Sequence, residues 1–146
     1  MKIKSKILEI LYNSPLEVSI NMKLRYMPVV SKLRKIRNQN KNLKILEVGS
    51  GSKGITRFFR HPVTGMDVKF QEHKNLYLKE VISSATKKFP FRDNEFDVVI
   101  SVDSIEHISK NKRKNALKEM LRASNKHIII TCQDFFLGRF YLEDNK

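Results

Sequence analysis

The chain has 146 residues, 40% of them hydrophobic and 30% charged, with 29 Lys/Arg against 15 Asp/Glu and a formal net charge of +14. That length suits one domain with a single core, and that balance reads as a soluble globular chain and not a disordered one. No apolar run approaches the roughly 18 residues a membrane-spanning helix requires, and the single cysteine, Cys132, excludes an internal disulfide and a multi-cysteine metal cluster.

At the N-terminus, Lys4, Lys6 and Glu9 interrupt the apolar residues, so the segment lacks the continuous core of a secretory signal. A cytoplasmic protein is expected. Ile3, Ile7, Leu8 and Leu11 share one helical face, and residues 3–12 are predicted as a short helix stopped by Asn13-Ser14-Pro15. A second helix is predicted to start at Pro28 and run to about Arg37, with Val29, Val30, Leu33 and Ile36 at helical spacing. Residues 1–42 thus read as a helical lead-in to a domain spanning 43–146.

Leu43–Val48 is predicted as a buried strand ending in Gly49-Ser50-Gly51, with a short helix suggested by Ile55, Phe58 and Phe59. Val63–Asp67 reads as the second strand and residues 76–82 as a weaker third. The chain between Asp67 and that third strand is short, so a helix there is expected to be reduced or absent. Phe96–Val102 is predicted as a buried fourth strand, residues 111–124 as a helix, and His127–Cys132 as a fifth strand. Strands alternating with helices imply an α/β fold, a doubly wound, mostly parallel sheet in a three-layer sandwich. Its ligand site is expected at the carboxyl edge, beside the glycine turn. The tail after residue 132 offers no obvious place for two further strands. The fifth strand is therefore expected to present an exposed lateral edge and to invite self-association unless Phe135–Tyr141 covers it.

Charge clusters in two places. The first 44 residues hold 11 Lys/Arg against Glu9 and Glu17, and a second basic stretch runs from Lys110 to Lys126. Such charge attracts nucleic acid or an anionic membrane surface, although a solvated basic face accounts for it as well.

The chemistry-bearing motif is Glu47-Val48-Gly49-Ser50-Gly51-Ser52-Lys53-Gly54, directly after a strand. Glycine lets the backbone turn tightly and approach a ligand without a β-carbon in the way. Asp67 follows 18 residues after Gly49, at the end of the next strand, where a carboxylate can accept hydrogen bonds from both ribose hydroxyls of a nucleoside. A dinucleotide fold usually has an apolar residue two before the first glycine. Here it is Glu47, an anion suited to a ligand that carries positive charge on sulfur and nitrogen and poorly suited to a pyrophosphate.

With these residues in place, positions 43–131 resemble the Rossmann-like S-adenosylmethionine-dependent methyltransferases of the type 11 group. The stretch Phe89-Pro90-Phe91-Arg92-Asp93-Asn94-Glu95-Phe96-Asp97-Val98-Val99 resembles that group's LPF-x-D-x-x-FD-x-V. Ser104-Ile105-Glu106-His107 resembles its LEH helix start, and Ala116-Leu117-Lys118-Glu119-Met120-Leu121-Arg122 its helix before the fifth strand.

The resemblance implies S-adenosylmethionine as cofactor and methyl transfer to an unidentified small or macromolecular acceptor. It implies that Glu47, Gly49, Ser50 and Gly51 line the methionine end, Asp67 holds the ribose, and Ser84-Ala85 flank the adenine. Ser101 to Asp103 would then approach from the fourth strand. The group usually has an acid where Ser84 stands, and its sheet has two further C-terminal strands that this chain is expected to lack.

His107 is the candidate general base, for acceptors that must lose a proton. Asp103, Glu106 and His107 also resemble the metal site of small-RNA 2′-O-methyltransferases. One helical turn would place them on a common face as ligands to a divalent ion. Two alternatives therefore stand beside the main reading: a metal-assisted RNA O-methyltransferase, and a truncated, catalytically silent fragment that binds nucleic acid or a partner chain.

Overall fold

The structure is a computed structural model describing residues 15–72, 75–132 and 141–144, with side chains described for 20–72 and 75–132. Its elements in chain order are α1 (Pro15–Gln39), β1 (Ile45–Val48), a 3-10 turn (Gly54–Arg57), β2 (Val63–Asp67), β3 (Leu78–Ile82), β4 (Phe96–Val102), a second 3-10 turn (Ile105–His107), α2 (Lys110–Ala123), β5 (Ser124–Thr131) and β6 (Tyr141–Asp144). The sheet order is β3-β2-β1-β4-β5-β6. The first five strands pair in parallel, and β6 runs antiparallel against β5.

The alternation of side chains along each strand divides the core into two layers. Ile45, Val98, Ile100 and Ile129 face one side, where they meet Tyr26, Val29, Val30 and Leu33 of α1 together with Ile55 and Phe59. Leu46, Val48, Val99 and Ile128 face the other and pack on Ala116, Met120 and Ala123 of α2. β1 and β4 are covered on both faces, which is why they read as unbroken apolar runs.

Two expectations about helices change. The predicted start at Pro28 is wrong: α1 begins at Pro15, in the first-turn position that tolerates a missing N–H, and runs 25 residues straight through Pro28. Pro28 lies on the exposed side of the helix. The packing of Tyr26, Val29, Val30 and Leu33 spans the break and holds the helix together. The helix predicted over 3–12 and its expected stop at Asn13-Ser14 lie outside the described residues. The helix after the glycine turn is only a single 3-10 turn. Between β2 and β3 no helix occurs among the described residues, in line with the short spacing.

The third correction concerns the C-terminal edge. The side of β5 away from β4 is not open: His127, Ile128, Ile129 and Ile130 pair with Asp144, Glu143, Leu142 and Tyr141. Self-association through an exposed fifth strand therefore loses its basis, and the tail supplies one of the two strands that seemed to be missing. Phe135, Phe136 and Phe140, the residues expected to attempt the cover, lie outside the described residues.

In this chain the Phe89–Asp97 stretch and the Glu119–Arg122 turn of α2 form one structural device. Arg122 of α2 donates to the carbonyls of Phe91 at 2.8 Å and Phe89 at 3.2 Å, and pairs with Asp93 and Glu119, both at 2.7 Å. Glu119 in turn accepts the N–H of Phe89 at 2.8 Å. This guanidinium holds the Glu119 carboxyl below its ordinary range, against a smaller opposing effect of burial. The staple fixes the loop entering β4, the strand that carries Ser101 and leads to Asp103.

Candidate active site

β1, β2 and β4 are neighbours, so their carboxyl ends bring Glu47, Asp67 and Asp103 to one edge of the sheet with the glycine turn between them. Gly49 adopts φ +77° and Gly51 φ +53°, conformations that cost an L-residue roughly 1–2 kcal/mol. The two glycines differ in their surroundings. A β-carbon at Gly49 would strike the side chain of Ser104, whereas one at Gly51 would meet nothing within 4 Å. Gly51 thus presents bare backbone outward.

Asp67 holds that backbone. Its Oδ2 accepts the Gly51 N–H at 2.8 Å and its Oδ1 accepts the Val68 N–H at 2.7 Å. Each oxygen keeps a second lone pair, so the half-buried carboxylate can accept further bonds from a neighbouring diol. Ser50 turns the other way. It is buried, its hydroxyl donates to the Gly51 carbonyl at 3.0 Å, and it packs on Gly65 so tightly that a β-carbon there would collide with it. Only the backbone of Ser50 can face a ligand.

Glu47 is fully buried beneath the turn. Its Oε2 accepts the Ile55 N–H at 2.7 Å, and Gly54, at φ +46°, lies so close that a β-carbon would run into the carboxylate. Oε1 has no hydrogen-bond partner. The Tyr26 hydroxyl faces the carboxylate and favours its charged form, but too loosely to satisfy that oxygen. Burial outweighs both contacts and pushes the Glu47 carboxyl up to about 8, so the acid is largely protonated at neutral pH. Tyr26 is displaced upward as well, first by its own burial and then by the nearby Glu47.

Asp103 follows β4 with φ +46°, in the left-handed region that non-glycine residues seldom occupy and that concentrates at functional sites. Its side chain forms an ion pair with Arg25 of α1, Nη1 to Oδ2 at 3.2 Å, tying the helix to the site. The contact falls short of hydrogen-bond geometry, which leaves Oδ2 without a bonded donor. Burial raises the Asp103 carboxyl, the Arg25 charge pulls it back, and Glu106 adds to the rise.

The remaining candidates fall into two groups. Ser84 and Ala85 lie in the loop after β3, half-buried, with the Ser84 hydroxyl 2.9 Å from that of Thr86 and accepting the Thr86 N–H at 3.2 Å. Ser101 is fully buried and donates to the Val48 carbonyl at 3.1 Å, so its side chain fastens β4 to β1 beneath the edge. The helical face imagined for Asp103, Glu106 and His107 does not form. Asp103 precedes the 3-10 turn, the turn is three residues long, and His107 is exposed. Among the described residues no group of three His, Cys, Asp or Glu is arranged to hold a metal ion. Arg25 and Tyr26 adjoin these residues although no pattern in the sequence marks them, and Ser104, read only as part of a helix start, packs against Gly49. Two clefts of about 810 and 740 Å³ open near Lys44 and Glu95 at the opposite, amino edge of the sheet, and no candidate site residue lines them.

The sequence signature of the protein family described as "Methyltransferase domain" matches residues 46–129, more than half of the chain. The chain belongs to this methyltransferase family. Its sequence is 28% identical over 102 residues to the uncharacterized protein MJ0638 of Methanocaldococcus jannaschii, covering 67% of this chain and 44% of that protein. A solved structure described as a methyltransferase from an antibiotic biosynthesis pathway of Anabaena variabilis superposes with a TM-score of 0.61 at 20% identity, covering 75% of this chain and 47% of that one. The PH0226 protein of Pyrococcus horikoshii gives 0.58 at 20% identity, covering 86% and 63%. At such identities these structures speak for the shared α/β fold alone. The chain spans under half the length of the Methanocaldococcus and Anabaena proteins. No helix among the described residues is long and apolar enough to cross a membrane.

Proposed function

We propose that this methyltransferase-family chain binds S-adenosylmethionine at the carboxyl edge of β1, β2 and β4 and transfers its methyl group to an acceptor still to be identified. The supporting observation is the orphaned, buried Glu47 Oε1 below a glycine turn whose outward face is open at Gly51. A protonated acid at that depth can lose its proton when a cation arrives above it, and the family's cofactor carries a sulfonium and an ammonium. The activated methyl comes from the cofactor; the protein supplies position, orientation and exclusion of water. Asp67 offers free lone pairs to the ribose diol, and its bonds to Gly51 and Val68 hold it in register. Arg25 and Asp103 fix the start of the site's outer wall. On this reading residues 43–146 form the cofactor-binding domain and residues 1–42 lead into it.

Calorimetric titration with S-adenosylmethionine, its demethylated product and NAD tests the proposal. Binding of the first two and silence from NAD is expected. Binding of NAD alone would reverse the assignment.

A further inference from the structure

The family site leaves one surface unexplained. α1 buries Tyr26, Val29, Val30 and Leu33 against the sheet, yet carries a second apolar stripe on its solvent side. Ile20, Leu24 and Met27 are 49%, 68% and 40% exposed and stand at i, i+4 and i+7, one above another on the helix. Lys23 and Arg25 lie on the two flanks of this stripe. From residue 18 to residue 46 the sequence holds eight Lys/Arg and no acid.

We infer that α1 docks on an anionic lipid surface through Ile20, Leu24 and Met27, with the flanking cations against the headgroups. An aliphatic ridge between cations is the pattern of an interfacial helix: the apolar side chains enter the acyl boundary and the charges stay with the phosphates. Nucleic acid fits this face less well. It would use the cations, but single strands are held by stacking bases on aromatic rings, and the exposed stripe has none. A second copy of the chain fits less well still. Three side chains fall far short of the roughly 800 Å² per partner that a standard stable interface buries, and two helices of net positive charge repel. Arg25 is also the residue that pairs with Asp103. Docking through this half of α1 therefore sets the carboxyl edge of the sheet beside the lipid headgroups.

Flotation of the intact chain with vesicles of phosphatidylcholine, alone or mixed with phosphatidylglycerol, tests the inference without any cofactor and so independently of the proposed activity. Binding to the mixed vesicles only, released by high salt, is expected. Lys23→Glu should weaken binding by at least about fivefold. The double change Leu24→Gln, Met27→Gln should weaken it by about tenfold or more while leaving the melting temperature unchanged, since both positions are exposed. Undiminished binding in the double variant would overturn the inference, as would equal binding to pure phosphatidylcholine. So would vesicles ignored while a single-stranded RNA oligonucleotide binds, or light scattering that shows a dimer dispersed by the double variant.

Discussion

Replacing Glu47 with Gln separates the cost of burying this acid from its use. Its carboxyl is displaced by burial from the ordinary 4.5 to about 8. Below pH 4.5 the folded and unfolded chains both carry the proton and the acid costs nothing. Between 4.5 and about 8 the unfolded chain releases it while the folded chain keeps it, so stability falls as pH rises. Above about 8 the full cost is present. At about 1.4 kcal/mol per pH unit, it reaches about 5 kcal/mol, and about 3 kcal/mol near neutrality. Glutamine cannot titrate, yet its amide oxygen can still accept the Ile55 N–H. Glu47→Gln should therefore match the wild type near pH 4.5 and outlast it progressively toward pH 8 in urea unfolding. The same variant should bind S-adenosylmethionine more weakly, because no carboxylate can form below the cation. A stability difference that stays constant across this pH range would refute the reasoning, whatever its absolute size.

Other perturbations follow from the same geometry. Asp67→Ala should cost about 1.5–3 kcal/mol of S-adenosylmethionine affinity by calorimetry, the scale of lost charge-assisted hydrogen bonds, in a chain that remains folded. Gly54→Ala drives a β-carbon into the Glu47 carboxylate and should cost about 2–5 kcal/mol of stability. Gly51→Ala has open space and should cost only the left-handed strain of about 1–2 kcal/mol, yet abolish cofactor binding. Arg122→Ala leaves the mostly buried Glu119 and two loop carbonyls without their donor and should lower stability by about 2–4 kcal/mol in chemical denaturation. A chain ending at Gln133 loses β6, so it should melt lower than the intact protein and associate in light scattering.

What the sequence disclosed and what it withheld have physical reasons. β2 and β4 were legible to the residue, because Val63–Asp67 and Phe96–Val102 are short runs bounded by breakers. The turn and Asp67 were legible from spacing, since a strand, a glycine turn and an acid closing the next strand leave few ways to fold. α1 was misjudged because Pro28 signals a boundary in local chemistry, and only tertiary packing explains why the helix continues. β6 was missed because YLED shows no apolar alternation; its place is set by backbone pairing with β5. Glu47 stood out in the motif, but its surroundings did not. Tyr26 and Gly54 reach it through the fold, and no local pattern foretells that a motif acid will be sealed from solvent.

The crossover from β2 to β3, which carries no helix among the described residues, bears on how the protein breathes. β3 has one lateral partner and no fully buried residue, and Leu76 just before it and Ile82 at its end are 86% and 75% exposed. Of the parallel strands it has the least to lose by detaching, so its amides should exchange with solvent well before those of β1 and β4. Yet Asp67 pairs in register with Ile82, and the Asp67 carbonyl accepts the Ser83 N–H just beyond. The adenosine side of the proposed site thus rests on the first part of the sheet to come loose. A ligand that grips Asp67 would draw its affinity partly against that opening equilibrium, and would return the difference as protection of the outermost strand.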